Sequence, residues 1–153
     1  MIIYRLATSA HKEDISGTGS KIFGGRWNSP GVAALYTAEH ISLALLEILV
    51  RTGRKNIPAS YNLIKILIPD SLTIVSIPEK KLKQAWEHNL AYTQWMGDEM
   101  LKTNAALIIK VPSAIVPEEH NFLVNPTHPD FKKVKIITTS AFDFDKRLFL
   151  NNE

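Results

Sequence analysis

The amino-acid sequence predicts an α+β fold, a compact single domain with a central mixed or antiparallel sheet and a few helices. Three observations predict it. β-prone apolar segments recur from one end of the chain to the other. Three stretches read as helices, one of them weakly. Strands and helices do not alternate in the regular rhythm that marks a parallel, doubly wound sheet. With 153 residues the chain is long enough for one sizeable core. No repeat, linker or low-complexity stretch divides it, so residues 1–153 are read as one domain.

Ile2–Leu6 alternates and reads as a strand. Thr8–Gly25 is rich in Ser, Thr and Gly and reads as a long loop with room for a short helical turn; loops of that length are often functional. Ala34–Tyr36 is a short strand. Thr37 then stands as N-cap of a helix over Ala38–Arg51, with Glu39 in its first turn, Arg51 in its last and Gly53 ending it. Tyr61–Pro69 and Leu72–Ile77 read as strands. Lys80–His88 reads as a weak amphipathic helix, and Thr93–Lys102 as a stronger one with Met96, Met100 and Leu101 at helical spacing. Ala106–Val111, apolar apart from Lys110, reads as a strand buried on both faces. Ile115–Val116 and Phe122–Val124 are short strands around the Glu118–Asn121 turn. Asn125–Asp130, with two prolines, is irregular, and Val134–Ser140 is a strand. The tail DFDKRLF, from Asp143, is expected at the core edge.

Composition narrows the function. Hydrophobic residues make up 45% and charged residues 22%, ordinary for a soluble globular protein. The absence of cysteine excludes disulfides and thiolate metal sites and agrees with a cytoplasmic location. The N-terminal MIIYRLATSAHKED lacks the basic region and apolar run of a signal peptide. The longest apolar run, Ile41–Val50, is interrupted by Ser42 and Glu47 and falls well short of the roughly 20 residues of a membrane span. A net charge of +3 and a pI near 9.1 favour anionic partners. The loose basic clusters at Arg51–Lys55, Lys80–Lys83 and Lys132–Lys135 read as solvated faces. No aromatic-interleaved basic stripe is present, so direct nucleic-acid binding is not expected. Oligomeric state stays open, a homo-oligomer included.

Three places could carry chemistry. GGRWNSPG, Gly24–Gly31, sets a guanidinium and a flat aromatic ring in a glycine-bearing turn. Arg26 matches phosphate or carboxylate, and Trp27 could stack on a ring; the plainer alternative is a hairpin turn with a surface Arg and a core Trp. Glu47 sits on a helix that is apolar on nearly every side. Its carboxylate either reaches a cleft or pairs with Arg51 at i+4. Ser113 follows the buried strand, where it either lines a pocket or stabilises the turn after Pro112. His11, His40, His88, His120 and His128 are scattered without metal-ligand spacing, so no metal is expected. Neither a Walker A motif nor GxGxxG occurs.

The three residues Arg26, Glu47 and Ser113 carry a resemblance to the RES domain family, whose name spells them. Its segments run in family order: YRLA at Tyr4–Ala7, GGRWNSPG, LYTAEHISLALLEILV at Leu35–Val50, WMGDEML at Trp95–Leu101, and VPSAIVPEEHNFLVNPTHPDF at Val111–Phe131. The resemblance implies an ADP-ribosyltransferase-like fold and the toxin of a bacterial type II toxin–antitoxin pair, neutralised by an Xre-type helix-turn-helix antitoxin. It implies that NAD is consumed as substrate, with no resident cofactor, through cleavage of the nicotinamide–ribose bond by hydrolysis or phosphorolysis. Transfer of ADP-ribose to a protein is the alternative. An RNA-cleaving toxin and a non-catalytic binding module are the more distant ones. In that scheme Arg26 and Arg5 clamp the pyrophosphate, Tyr36 or Trp27 provides an aromatic wall, Glu47 stabilises the developing positive charge, and Ser113 orients ribose or amide. Asn125 is a candidate for the pocket wall.

Overall fold

The computed structural model describes residues 1–53 and 60–148. Arg54 and Lys55 of the first basic cluster and Phe149 of the tail lie outside them. The strands are β1 (Ile2–Thr8), β2 (Leu35–Ala38), β3 (Tyr61–Leu67), β4 (Ile74–Ser76), β5 (Ile108–Pro112), β6 (His120–Val124) and β7 (Lys135–Phe142). The helices are α1 (Thr18–Phe23), α2 (Ile41–Thr52) and α3 (Leu90–Lys102). The strands form one mixed sheet in the order β4-β5-β6-β2-β1-β3-β7. Every pairing is antiparallel except β4 with β5. At the middle of the sheet β1 and β2 share a single register pair, Tyr4 opposite Ala38. By contrast β1 and β3 pair over seven positions, from Ile2 opposite Leu67 to Thr8 opposite Tyr61.

Strand alternation sorts the core into layers. One face carries Ile3, Ala7, Leu35, Ile64, Ile66, Phe122 and Val124, closed over by Ile15, Leu72 and Phe131 from loops. The other face carries two clusters side by side. Helix α2 covers Leu6, Ala38 and Leu63 with Leu43, Ala44 and Ile48. Helix α3, the Gly24–Gly31 stretch and the 3-10 turn Trp86–His88 cover Ile109, Val111 and Leu123 with Leu101, Trp27 and Trp86. In β5, Ile108, Ile109 and Val111 have no exposed surface, while Lys110 between them is half-buried.

Several elements depart from the sequence expectation. Thr37 does not cap α2. It is buried in β2, where its hydroxyl donates to the Phe122 carbonyl at 3.0 Å, and β2 runs on through Ala38 opposite Asn121. The helix therefore begins at Ile41, behind His40, whose side chain makes no cap hydrogen bond. Lys80–His88 is not a helix. Two 3-10 turns, Glu79–Lys81 and Trp86–His88, are separated by an extended Leu82 and a left-handed Ala85. Burial of Trp86 against Trp27, with ring centroids 5.5 Å apart, outweighs the weak amphipathic pattern. Helix α3 starts earlier than its apolar spacing suggests, at Leu90, because the Asn89 side chain accepts from the Tyr92 N–H. Ile115–Val116 is a turn rather than a strand. Phe144 of the tail meets Tyr61 and Phe142 edge-on at the core edge.

Candidate active site

Tight packing builds the Arg26 turn. Gly24 closes α1 at φ 72°, a conformation that glycine adopts without strain. The Gly25 N–H then donates to the Asn28 carbonyl at 2.9 Å, leaving Arg26 and Trp27 at the tip of a minimal hairpin. The Tyr36 hydroxyl, from β2, accepts from the Trp27 N–H at 2.9 Å and donates to Asn28 Oδ1 at 2.6 Å. A Cβ at residue 25 would stand 2.5 Å from that hydroxyl, so only glycine fits. Asn28 is fully buried, and its Nδ2 donates to the carbonyls of Ser20 and Val32.

Helix α3 grips the turn from the other side. Gln94 Nε2 donates to the carbonyls of Gly25 and Asn28, Asp98 Oδ1 accepts from the Ser29 N–H, and Gly97 lies so close that a Cβ would overlap the Trp27 carbonyl. Arg26 itself donates from Nη1 to the Glu87 carbonyl at 2.7 Å, with its guanidinium 6.0 Å from the Trp86 ring centre.

Glu47 occupies α2 between buried Leu43 and Ile48 and is half-buried. Its Oε1 accepts from Asn121 Nδ2 at 2.6 Å, and no ion pair joins it to Arg51 among the described residues. The register of β2 with β6 puts Ala38 opposite Asn121 and Tyr36 opposite Leu123, so Tyr36 and Asn121 rise from one sheet face. Electrostatics links the group. Burial pushes the Tyr36 phenol well above its ordinary 10.0, Asp98 and Glu47 push it further, and the Trp27 N–H and Arg26 oppose them. The charges of Arg26 and Glu47 thus both reach one hydroxyl.

The remaining candidates lie apart or are engaged. Trp27 is 2% exposed and presents no free face to a ligand; it takes the core position that its turn allowed as an alternative. Ser113 has no exposed surface, and its Oγ accepts from the N–H groups of Ile115 and Val116 at 3.1 Å each, building the turn after Pro112. Asn125 is also fully buried. It donates to the Leu101 carbonyl and to Asn104 Oδ1, tying the end of β6 to the end of α3. Arg5 leaves β1 between Tyr4 and Leu6, on the side of Ile3 and Ala7. Its Nε is buried with no hydrogen-bond partner; burial first and Arg51 second lower the guanidinium below its ordinary value, against the pull of Asp14. Two surface hollows, of about 190 and 380 Å³, are lined by Lys21, Gly31, Leu101 and Lys102 and by Leu72, Leu107, His128 and Asp130; neither is lined by Arg26, Tyr36 or Glu47. Among the described residues no cluster of His, Asp and Glu could hold a metal. No helix among them is long and apolar enough to cross a membrane.

Residue-by-residue reading of the sequence does not single out Asn121, Asn28, Gln94 or Gly97, and it offers Asp98 only as a possible carboxylate partner of Glu47, whereas Asp98 holds the Ser29 N–H of the Arg26 turn. The sequence puts Asn121 at the end of the Glu118–Asn121 turn, whereas it lies inside β6, which begins at His120.

Comparison with known proteins places the chain. The model of the RES domain matches residues 2–145. It belongs to the RES domain toxin family. A protein named Toxin Res from Photorhabdus laumondii is 38% identical over 153 residues, covering 97% of each chain. The Prs ADP-ribosylating toxin of a Sphingobium species is 36% identical over 153 residues, covering 95% of this chain and 94% of that one. The NAD(+) phosphorylase MbcT of Mycobacterium tuberculosis is 28% identical over 119 residues, covering 72% of this chain and 63% of that one. The crystal structure of the M. tuberculosis MbcT-MbcA toxin-antitoxin complex superposes with a TM-score of 0.72 at 20% identity, over 93% of this chain and 84% of that one. The RES chain therefore shares its fold with a chain of that complex, and the α+β class expected from sequence holds.

Proposed function

We propose that this RES protein is the toxin of a toxin–antitoxin pair and consumes NAD by breaking its nicotinamide–ribose bond. The observation that carries the reading is the Glu47 carboxylate held by Asn121 on the same sheet face from which Tyr36, the anchor of the Arg26 turn, rises. Family membership and the names of two relatives, an NAD(+) phosphorylase and an ADP-ribosylating toxin, support it.

The bond electrons leave with nicotinamide, whose ring nitrogen becomes neutral, and the ribose carbon passes through an oxocarbenium-like state. Glu47 faces that positive charge; in a water-poor site such a fixed carboxylate acts strongly. Arg26 binds the pyrophosphate, and the Tyr36 ring walls the nicotinamide in place of the buried Trp27; Arg5, on the opposite face of the sheet with Ile3 and Ala7, is not part of this clamp. Ser113 and Asn125 act on the frame, through the turn and the helix end they tie. The acceptor oxygen, from water or phosphate, then bonds to the ribose carbon and gives up its proton. A protein side chain as acceptor is the second reading, favoured by the 36% identity to an ADP-ribosylating toxin. The reaction draws on the cytoplasmic NAD pool, and the cognate antitoxin is of the Xre helix-turn-helix type.

Purified protein mixed with NAD, with and without phosphate, tests this. The expected products are free nicotinamide with ADP-ribose, its phosphorylated form, or a labelled protein. Unchanged NAD in all three conditions, including one with cell extract, overturns the proposal. Glu47→Gln is expected to abolish NAD loss while leaving the circular dichroism spectrum unaltered; retained turnover would remove Glu47 from the chemistry.

A further inference from the structure

We infer that Asn121 is a positioning residue for the Glu47 carboxylate. Its backbone is held on both sides, opposite Ala38 of β2 and Val111 of β5. Its side chain crosses to α2, and Nδ2 meets Glu47 Oε1 at 2.6 Å, short for an N–H donor even to a charged acceptor. Among the described residues this is the one hydrogen bond made to Glu47. The amide orientation follows from chemistry. An ionised carboxylate only accepts, so the atom facing it must be the NH2 group.

A glutamate on a helix surface has three side-chain torsions to wander through. Tying Oε1 to a sheet residue removes much of that freedom. Asn121 keeps a second N–H and its own carbonyl oxygen free of partners among the described residues. Its contribution to catalysis is through Glu47, by holding the carboxylate where the positive charge develops.

The kinetic half of the test rests on the NAD reading. Asn121→Ala is expected to lower kcat for NAD consumption roughly 10- to 100-fold with little change in KM, because orientation and not binding is lost. Asn121→Asp keeps the shape but sets one carboxylate against another. At neutral pH it is expected to be worse than Asn121→Ala. As pH falls and the pair takes up a shared proton, an O–H replaces the lost N–H donor and activity recovers on the acid side. A residue of merely structural importance gives no such recovery. Variants that keep the wild-type kcat and pH profile overturn the inference.

A second measurement does not depend on turnover. The Asn121 side-chain amide resonances are expected to shift downfield and to move on Glu47→Gln. If wild-type protein leaves NAD intact but these resonances respond, the NAD reading fails and the positioning contact stands. If they do not respond, the contact itself is absent.

Discussion

Gly97 shows how much a single missing atom governs. In an exposed helix, alanine in place of glycine stabilises by up to about 1 kcal/mol. At residue 97 the added carbon would collide with the Trp27 carbonyl, backbone against backbone, with no flexible end to yield. Overpacking of that kind costs about 1–3 kcal/mol, so the clash outweighs the propensity. Gly97→Ala is therefore expected to lower the urea midpoint and to displace Arg26, impairing activity without touching a reacting group. A variant as stable as wild type would show that the turn can move away. None of this was readable from the WMGDEML segment, where Gly97 is simply a poor helix former. Arg26 and Glu47, by contrast, stand out in the sequence as a cation in a glycine turn and an acid on an apolar helix, whereas Tyr36 enters only through the family resemblance. Asn121 does not stand out, since its meaning lies in a partner 74 residues away.

At the level of elements, local pattern located most strands and both long helices, and it failed where a distant neighbour decided the outcome. Thr37 looks like a helix cap until β6 arrives to extend β2 past it. Lys80–His88 looks helical until Trp86 finds Trp27. The junction of β2, β5 and β6 adds an electrostatic tie. Glu39 accepts from the His120 N–H at 3.1 Å, meets its ring Nδ1 at 3.0 Å, and lies 3.6 Å from Lys110 Nζ. Burial pushes the Glu39 carboxyl up, but His120 and Lys110 together outweigh it and hold the group below its ordinary 4.5. A carboxyl depressed by folding stabilises the native state above its ordinary value and loses that contribution as pH falls through the lowered one. Wild-type protein is thus expected to lose stability on acidification below about pH 4.5, and Glu39→Gln to lose less over the same interval. Thermal melts of the two proteins across that interval check it; parallel curves would mean the tie carries no net weight. The partial exposure of Glu39 keeps the expected difference small.

For the whole molecule, the α+β class and the family were legible from chain-long motifs, whereas the strand order was not. Nothing local in Tyr4–Ala7 or Leu35–Ala38 says that the two central strands touch at one register pair. Production of the protein in bacteria without an antitoxin is expected to arrest growth as cellular NAD falls, and Glu47→Gln to permit growth with NAD intact; arrest without NAD loss would point to another target. The thin contact at the middle of the sheet has a further consequence. It separates β4-β5-β6-β2 from β1-β3-β7, yet the chain crosses between these halves from β1 to β2, β2 to β3, β3 to β4 and β6 to β7. Neither half can be cut out as a continuous piece. Cohesion comes from threading, so the sheet is expected to melt in one transition by every probe. A protease that severs one connection and frees a segment would leave no working remnant, and removal of this poison from a cell becomes an all-or-nothing event.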